Sequence, residues 1–202
     1  MRAFAPRLRQ AQRRAALFFV VIGFRSAELL GQRAPLLRQF HERMEREIFR
    51  HEGTLDKYLG DGLMATFGTP FPGASDAGNA LRCAQAMLGA IDELNVNRKH
   101  RGEPPVKVSV GLHYGEVVLG DIGLNRLEFA VIGTTVNAAS RLESLTREFG
   151  CAMIASDDLV QRARAEAGSS DADFAHLVAH PPQAIRGLEQ PVGIWTRVHN
   201  VA

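Results

Sequence analysis

The chain has 202 residues, 46% hydrophobic and 23% charged, enough for one domain with a sizeable core and too apolar for wholesale disorder. Its net charge of +2 hides an asymmetry: Arg2, Arg7, Arg9, Arg13 and Arg14 crowd the first fourteen residues, and the rest carries 19 basic against 22 acidic side chains, a net of −3. A body of that sign is no phosphate-tracking groove, so no nucleic-acid partner is expected. Cys83 and Cys151 stand far apart without CxxC or clustered histidines, which excludes a disulfide framework or structural zinc and points to a reducing, cytoplasmic setting.

Residues 1–14 read as a basic, disordered tail and 15–202 as one domain. The apolar run Ala15 to Phe24 is half the length of a spanning helix, which needs about 20 residues. It follows a basic segment as a signal-peptide core would, yet Arg25 and Glu28 follow where a small-residue cleavage site belongs. A buried strand ending at Gly23 is the reading taken, with no membrane span in the chain. Leu36, Leu37, Phe40, Met44, Ile48 and Phe49 then recur at helical spacing behind Pro35, until Gly53. Thr54 to Tyr58 and Leu63 to Phe67 are short strands around Leu59, Gly60, Asp61 and Gly62, the chemistry of a tight hairpin. Leu81, Ala84, Leu88, Ile91 and Leu94 form a second amphipathic helix, with Asp76 near its start and Gly102 beyond its end.

Val106 to Val118, interrupted by Gly111 and Gly115, reads as two strands with a bend. Phe129 to Ile132 is another strand. Thr134 or Thr135 is expected to cap a helix whose Val136, Ala139, Leu142 and Leu145 share one face. The strand Cys151 to Ile154, a short helix capped by Ser156, a loop from Gly168 to Asp173 and the strand Val192 to Val198 complete the chain. The expected class is α+β with a mostly antiparallel sheet.

Chemistry concentrates in two places. Asp61 lies at the hairpin tip between glycines, where a carboxylate can approach a polyanion closely and hold Mg²⁺ beside phosphates. Asn137 and Arg141 are four apart on one helix and share a face; arginine offers phosphate oxygens a fixed fork and asparagine can hold a ribose. His41, His51, His100, His113, His176, His180 and His199 are scattered without ligand spacing, and His113 reads as structural.

The blocks LDKYLGDGLMATFGTP, VSVGLHYGEVVLGDIG and VIGTTVNAASRLESLT, with RGLEQPVGIW near the end, resemble the class III adenylyl and guanylyl cyclase catalytic domain, from about Leu17 to Val198. The resemblance implies a ferredoxin-like α+β fold acting as a head-to-tail dimer. Each interface site would take two metal aspartates from one subunit and its base, ribose and phosphate contacts from the other. It implies ATP as substrate and Mg²⁺ or Mn²⁺ as cofactor. Attack of the ribose 3′-OH on the α-phosphorus would give 3′,5′-cyclic AMP and pyrophosphate. Carried over by position, Asp61 is the second metal aspartate, Lys57 the base-recognition lysine, Asn137 the ribose-orienting residue and Arg141 the transition-state arginine. Arg186 takes the place of a triphosphate-binding lysine, and Gly23 and Phe24 belong to the substrate-binding end of the first motif.

Two departures stand out. The family's F-x-D-[IV]-x-G-F-[ST] is here Phe18 to Arg25, so Val20 replaces the first metal aspartate and Arg25 the hydroxyl residue. Ala130 occupies the position where adenylyl cyclases place an acceptor for the adenine amino group. Lys57 still favours ATP, since adenine N1 accepts a hydrogen bond and guanine N1 donates one. The resemblance implies a homodimer or a heterodimer with another cyclase domain, and three explanations of the departures are open: an inactive homologue that binds nucleotide weakly, one half of a heterodimer, or a damaged or misassigned first thirty residues.

Overall fold

The computed structural model describes residues 11–23, 33–122, 128–186 and 188–197. In chain order the elements are β1 (Ala11–Gly23), α1 (Arg33–Arg50), β2 (Thr54–Leu59), β3 (Gly62–Phe67), α2 (Asp76–His100), β4 (Lys107–Ile122), β5 (Glu128–Ile132), α3 (Thr134–Phe149), β6 (Met153–Ser156), α4 (Asp157–Ala165), β7 (Val178–Gln183) and β8 (Val192–Arg197). The strands form one sheet in the order β2-β3-β1-β4-β6-β8-β7, with β5 also on β4. Neighbours pair antiparallel except β4 with β6, as expected of this α+β class.

The sheet is covered on both faces. Helix α1 buries Leu36, Phe40, Met44 and Ile48, one stripe at four-residue spacing, and α2 buries Leu81, Ala84, Leu88, Ile91 and Leu94. These pack with Leu63, Ala65 and Phe67 of β3, Val108, Val110 and Leu112 of β4, and Leu159 and Val160 of α4. Each such large side chain contributes about 1.5–3 kcal/mol on full burial. Met64, between Leu63 and Ala65, clusters instead with Val117, Leu119, Val131 and Ala139 on the α3 side. Strand β3 is therefore buried along its whole length, which fixes its register, because a one-residue slip would exchange its two faces.

Several expectations are corrected. Strand β1 begins at Ala11, so Arg13 and Arg14 belong to it and not to a tail; long β4 offers them backbone partners, Arg13 opposite Val117 and Arg14 opposite Glu116. Residues 1–10 of the expected tail lie outside the described residues. Within Val106 to Val118 there is no bent pair: residues from Lys107 on belong to one 16-residue strand, and Val106 lies just before it. Neither Thr134 nor Thr135 caps α3, whose N-cap is Gly133; Thr135 instead donates its hydroxyl to the Glu116 carbonyl at 2.6 Å and ties the helix to β4. Ser156 does cap α4, accepting from the Leu159 amide at 3.3 Å. Strand β7 was not expected at all.

Candidate active site

The hairpin of β2 and β3 closes with Leu59 opposite Gly62, leaving Gly60 and Asp61 as a two-residue turn. Gly60 takes φ 66°, the left-handed conformation that glycine adopts without penalty at the first position of such turns. Asp61 is exposed at the tip. On the far side of β3, the backbone of Val20 pairs opposite Leu63, two residues beyond Asp61, and opposite Val110 of β4. Val20 thus lies one strand away from the hairpin that carries Asp61.

Helix α3 carries Asn137, exposed, and Arg141, half-buried, while Ala138, Ala139, Leu142 and Glu143 are buried. Its close seat on the sheet comes from the two glycines expected to bend β4. A Cβ on Gly111 would run into the carbonyl of Ala139 and the backbone of Glu143; one on Gly115 would lie 2.7 Å from Thr135 Oγ1. Glycine here permits backbone-to-backbone approach. The Glu143 carboxyl is held above the usual range, first by burial, with Asp61 also contributing, against the pull of Arg147 and Ser144. Sequence reasoning passed over Glu143, although its place in RLE on the buried side of α3 marked it. His113 is a buried tie: its Nδ1 lies 2.9 Å from Ser156 Oγ, and burial pushes its pKa down.

The other residues are dispersed. Lys57 on β2 extends a side chain 43% exposed, with Nζ 3.4 Å from Oδ2 of Asp56. Ala130, on β5, pairs with Gly120 of β4. Gly23 is the last residue of β1, opposite Lys107, while Phe24 and Arg25 lie outside the described residues. Arg186 is exposed between β7 and β8, on a shallow cleft of about 410 Å³ lined also by Ile185, Leu188 and Pro191. From β3 to β8 the sheet counts four strand steps, about 19 Å at roughly 4.8 Å each. Among the described residues, no hydrogen bond or ion pair joins Lys57 or Asp61 to Asn137, Arg141 or Arg186.

The donor set fits half of a metal centre. Asp61 is one carboxylate at an exposed turn, Val20 supplies none, and no group of three or more His, Cys, Asp or Glu gathers among the described residues. A two-ion site, in which carboxylates hold both cations, does not fit these residues.

The sheet order and its covering helices define a nucleotide-cyclase type of domain, as solved structures show. The adenylyl cyclase CyaB from P. aeruginosa superposes with a TM-score of 0.76 at 25% identity, over 95% of this chain and 96% of that one. The guanylyl cyclase Cya2 does so with a TM-score of 0.74 at 25% identity, over 93% and 92%. The chain belongs to the adenylate and guanylate cyclase catalytic domain family, which it matches over residues 15–158. It is 32% identical to an adenylate cyclase of Anabaena cylindrica over 160 residues, 75% of this chain and 29% of that protein. It is 29% identical to adenylate cyclase 1 of Rhizobium meliloti (strain 1021) over 130 residues, 64% and 20% respectively. The chain thus spans less than a third of these relatives' length. No helix among the described residues is long and apolar enough to cross a membrane.

Proposed function

We propose that the chain is an adenylate-cyclase-type domain that converts ATP to 3′,5′-cyclic AMP and pyrophosphate within a dimer of cyclase domains. Val20 keeps its homodimer slow. Lys57 carries the assignment to ATP: an exposed ammonium on the hairpin arm donates to adenine N1 and is repelled by the N1 hydrogen of guanine. Asn137 orients the ribose, and Arg141 sets its fork on the phosphate oxygens as charge builds on them. The 3′-oxygen forms its bond to the α-phosphorus as the bond to the β-phosphate bridge breaks, and the hydroxyl proton passes to solvent. The width of the sheet supports the dimer. A triphosphate cannot touch Asp61 and Arg186 of one chain across about four strand spacings, so the two ends of the site come from two subunits.

A second reading has its own support in the register of Val20: the chain as a nucleotide-binding partner of an intact cyclase subunit, without turnover of its own. One experiment weighs both. The purified chain and its Val20→Asp variant are assayed with ATP and with GTP in Mn²⁺, each alone and mixed with a cyclase domain that has both aspartates but lacks the arginine corresponding to Arg141. The expected result is slow cyclic AMP formation by the chain, raised by about two orders of magnitude or more in Val20→Asp. Rescue in the mixture together with a silent Val20→Asp homodimer supports the second reading. Equal rates for the chain and Val20→Asp, or preferential cyclic GMP formation, refute the first.

A further inference from the structure

Asp56 stands immediately before Lys57 on β2. Successive residues of a regular strand point to opposite faces and cannot pair side chain to side chain. Here the β2–β3 ladder skips Asp56: Leu55 pairs with Ala65 and Lys57 with Met64, so Asp56 is the extra residue of a bulge. A bulge turns one side chain out of the alternation, and the consequence is the 3.4 Å pair between Lys57 Nζ and Asp56 Oδ2. The two ends differ in exposure: the Asp56 side chain is 4% exposed and that of Lys57 43%. A carboxylate so buried does not meet a nucleotide base itself, but acts through the lysine.

Oδ2 of Asp56 is buried and has no hydrogen-bond partner among the described residues, so the ion pair with Lys57 is the contact that compensates its charge. Burial raises the Asp56 carboxyl, and Lys57 opposes that rise. The next residue, Tyr58, lays its ring 4.4 Å from that of His41 on α1, which fixes the hairpin arm from behind. Nor does the sequence give Lys57 the family's usual base-side acceptor, because Ala130 has none to offer.

We propose that Asp56 is a positioning residue: its carboxylate holds the Lys57 ammonium at one place on the hairpin arm and thereby sets how strongly the chain prefers adenine to guanine nucleotides. This rests on the base-reading role of Lys57 proposed above. A free lysine distributes its head group over many rotamers and would meet either base weakly; a tethered one presents its remaining N–H groups in one direction.

The test is titration of the full chain with ATP and with GTP in Mn²⁺, comparing Asp56→Asn, Asp56→Glu, Lys57→Ala and the double variant Asp56→Asn/Lys57→Ala. Asp56→Asn is expected to reduce the ATP-to-GTP affinity ratio about fivefold, the upper end for a partly exposed ion pair, through weaker ATP binding with GTP unmoved. Asp56→Glu is expected to keep most of the ratio, and the double variant to lose no more than Lys57→Ala alone. A normal ratio in Asp56→Asn, or additive losses in the double variant, overturns the inference while leaving the role of Lys57 intact. A normal ratio in Lys57→Ala overturns that role and this inference with it. Independently of nucleotide, amine acylation mapped by peptide mass is expected to label Lys57 severalfold faster in Asp56→Asn. Equal labelling rates show that the pair does not form and also overturn it.

Discussion

Gly111→Ala tests the claim that α3 reaches its place only because β4 has no side chain there. The added methyl carbon would lie 2.9 Å from Glu143 Cα, where ordinary contact begins at 3.4 Å, and closer still to Ala139 O and Glu143 N. The shortfall at the Cα is 0.5 Å, and the obstructing atoms are backbone, so no rotamer change relieves it. Helix α3 must lift from the sheet and loosen the packing of Ala139 and Leu142. Overpacking of this kind costs about 1–3 kcal/mol, and a rigid backbone obstacle belongs at the upper end. At about 2–4 °C per kcal/mol for a chain of this size, a loss of about 3 kcal/mol lowers the melting temperature by about 6–12 °C. Gly89→Ala is the control: it lies within α2 with nothing within 4 Å of the new methyl, and it is expected to gain about 0.5–1 kcal/mol from helix propensity. Thermal unfolding by circular dichroism reads both. A Gly111→Ala chain melting within 2 °C of the parent, on a scale of about 2–4 °C per kcal/mol, refutes the close-seat argument.

Two pH-linked effects follow from buried groups. Burial raises the Glu143 carboxyl above its ordinary 4.5, so the fold favours its protonated form and bears the cost of its charge at neutral pH. Glu143→Gln is expected to melt higher than the parent at pH 7, with the advantage fading as pH falls towards 4.5; a lower melting temperature at pH 7 contradicts this. Burial lowers His113 from 6.5, so its contribution is present above 6.5 and lost as pH falls through its folded value. His113→Gln is expected to flatten the decline in melting temperature on the acid side of neutrality, and an unchanged slope counts against it.

What the sequence made legible was local. The Gly60–Asp61 turn follows from turn chemistry between two short apolar runs, and the stripes of α1 and α2 from their spacing, because each depends on residues a few positions apart. The misreadings share a cause. A glycine in a strand signals either a bend or a close neighbour, and Gly111 and Gly115 answer to α3, whose approach is a tertiary fact. Thr135 looked like a cap because its true acceptor, Glu116, is nineteen positions away in sequence. Strand β7 was hidden by Pro181 and Pro182, which a central strand excludes; they are tolerated at the outer edge of the sheet, where its ladder shifts register between His180 and Gln183. The residue types of the candidate site were readable in the same way, but not their separation. Sheet order, which local pattern does not encode, puts the segment of Arg186 near the edge opposite that of Asp61.

The same sheet gives the valine at position 20 a physical meaning apart from the proposed metal site. It stands in a β-branched run, Val20-Val21-Ile22, on a strand flanked by β3 and β4, where valine is favoured and aspartate disfavoured. An aspartate here would be a local conflict of the kind tolerated only for function, and valine avoids it. Val20→Asp is therefore expected to cost about 1 kcal/mol in strand preference, a fall of about 2–4 °C in melting temperature. Repulsion by Asp61, in the turn two residues before Leu63, the partner of residue 20, adds to that fall. A divalent cation between the two carboxylates reverses both effects by binding only the folded state, with about 2.7 kcal/mol available at a hundred times its dissociation constant. Mn²⁺ should accordingly raise the melting temperature of Val20→Asp and leave the parent nearly unmoved. If Mn²⁺ stabilises the two chains equally, the metal is held by groups other than this pair, and the argument from Val20 fails.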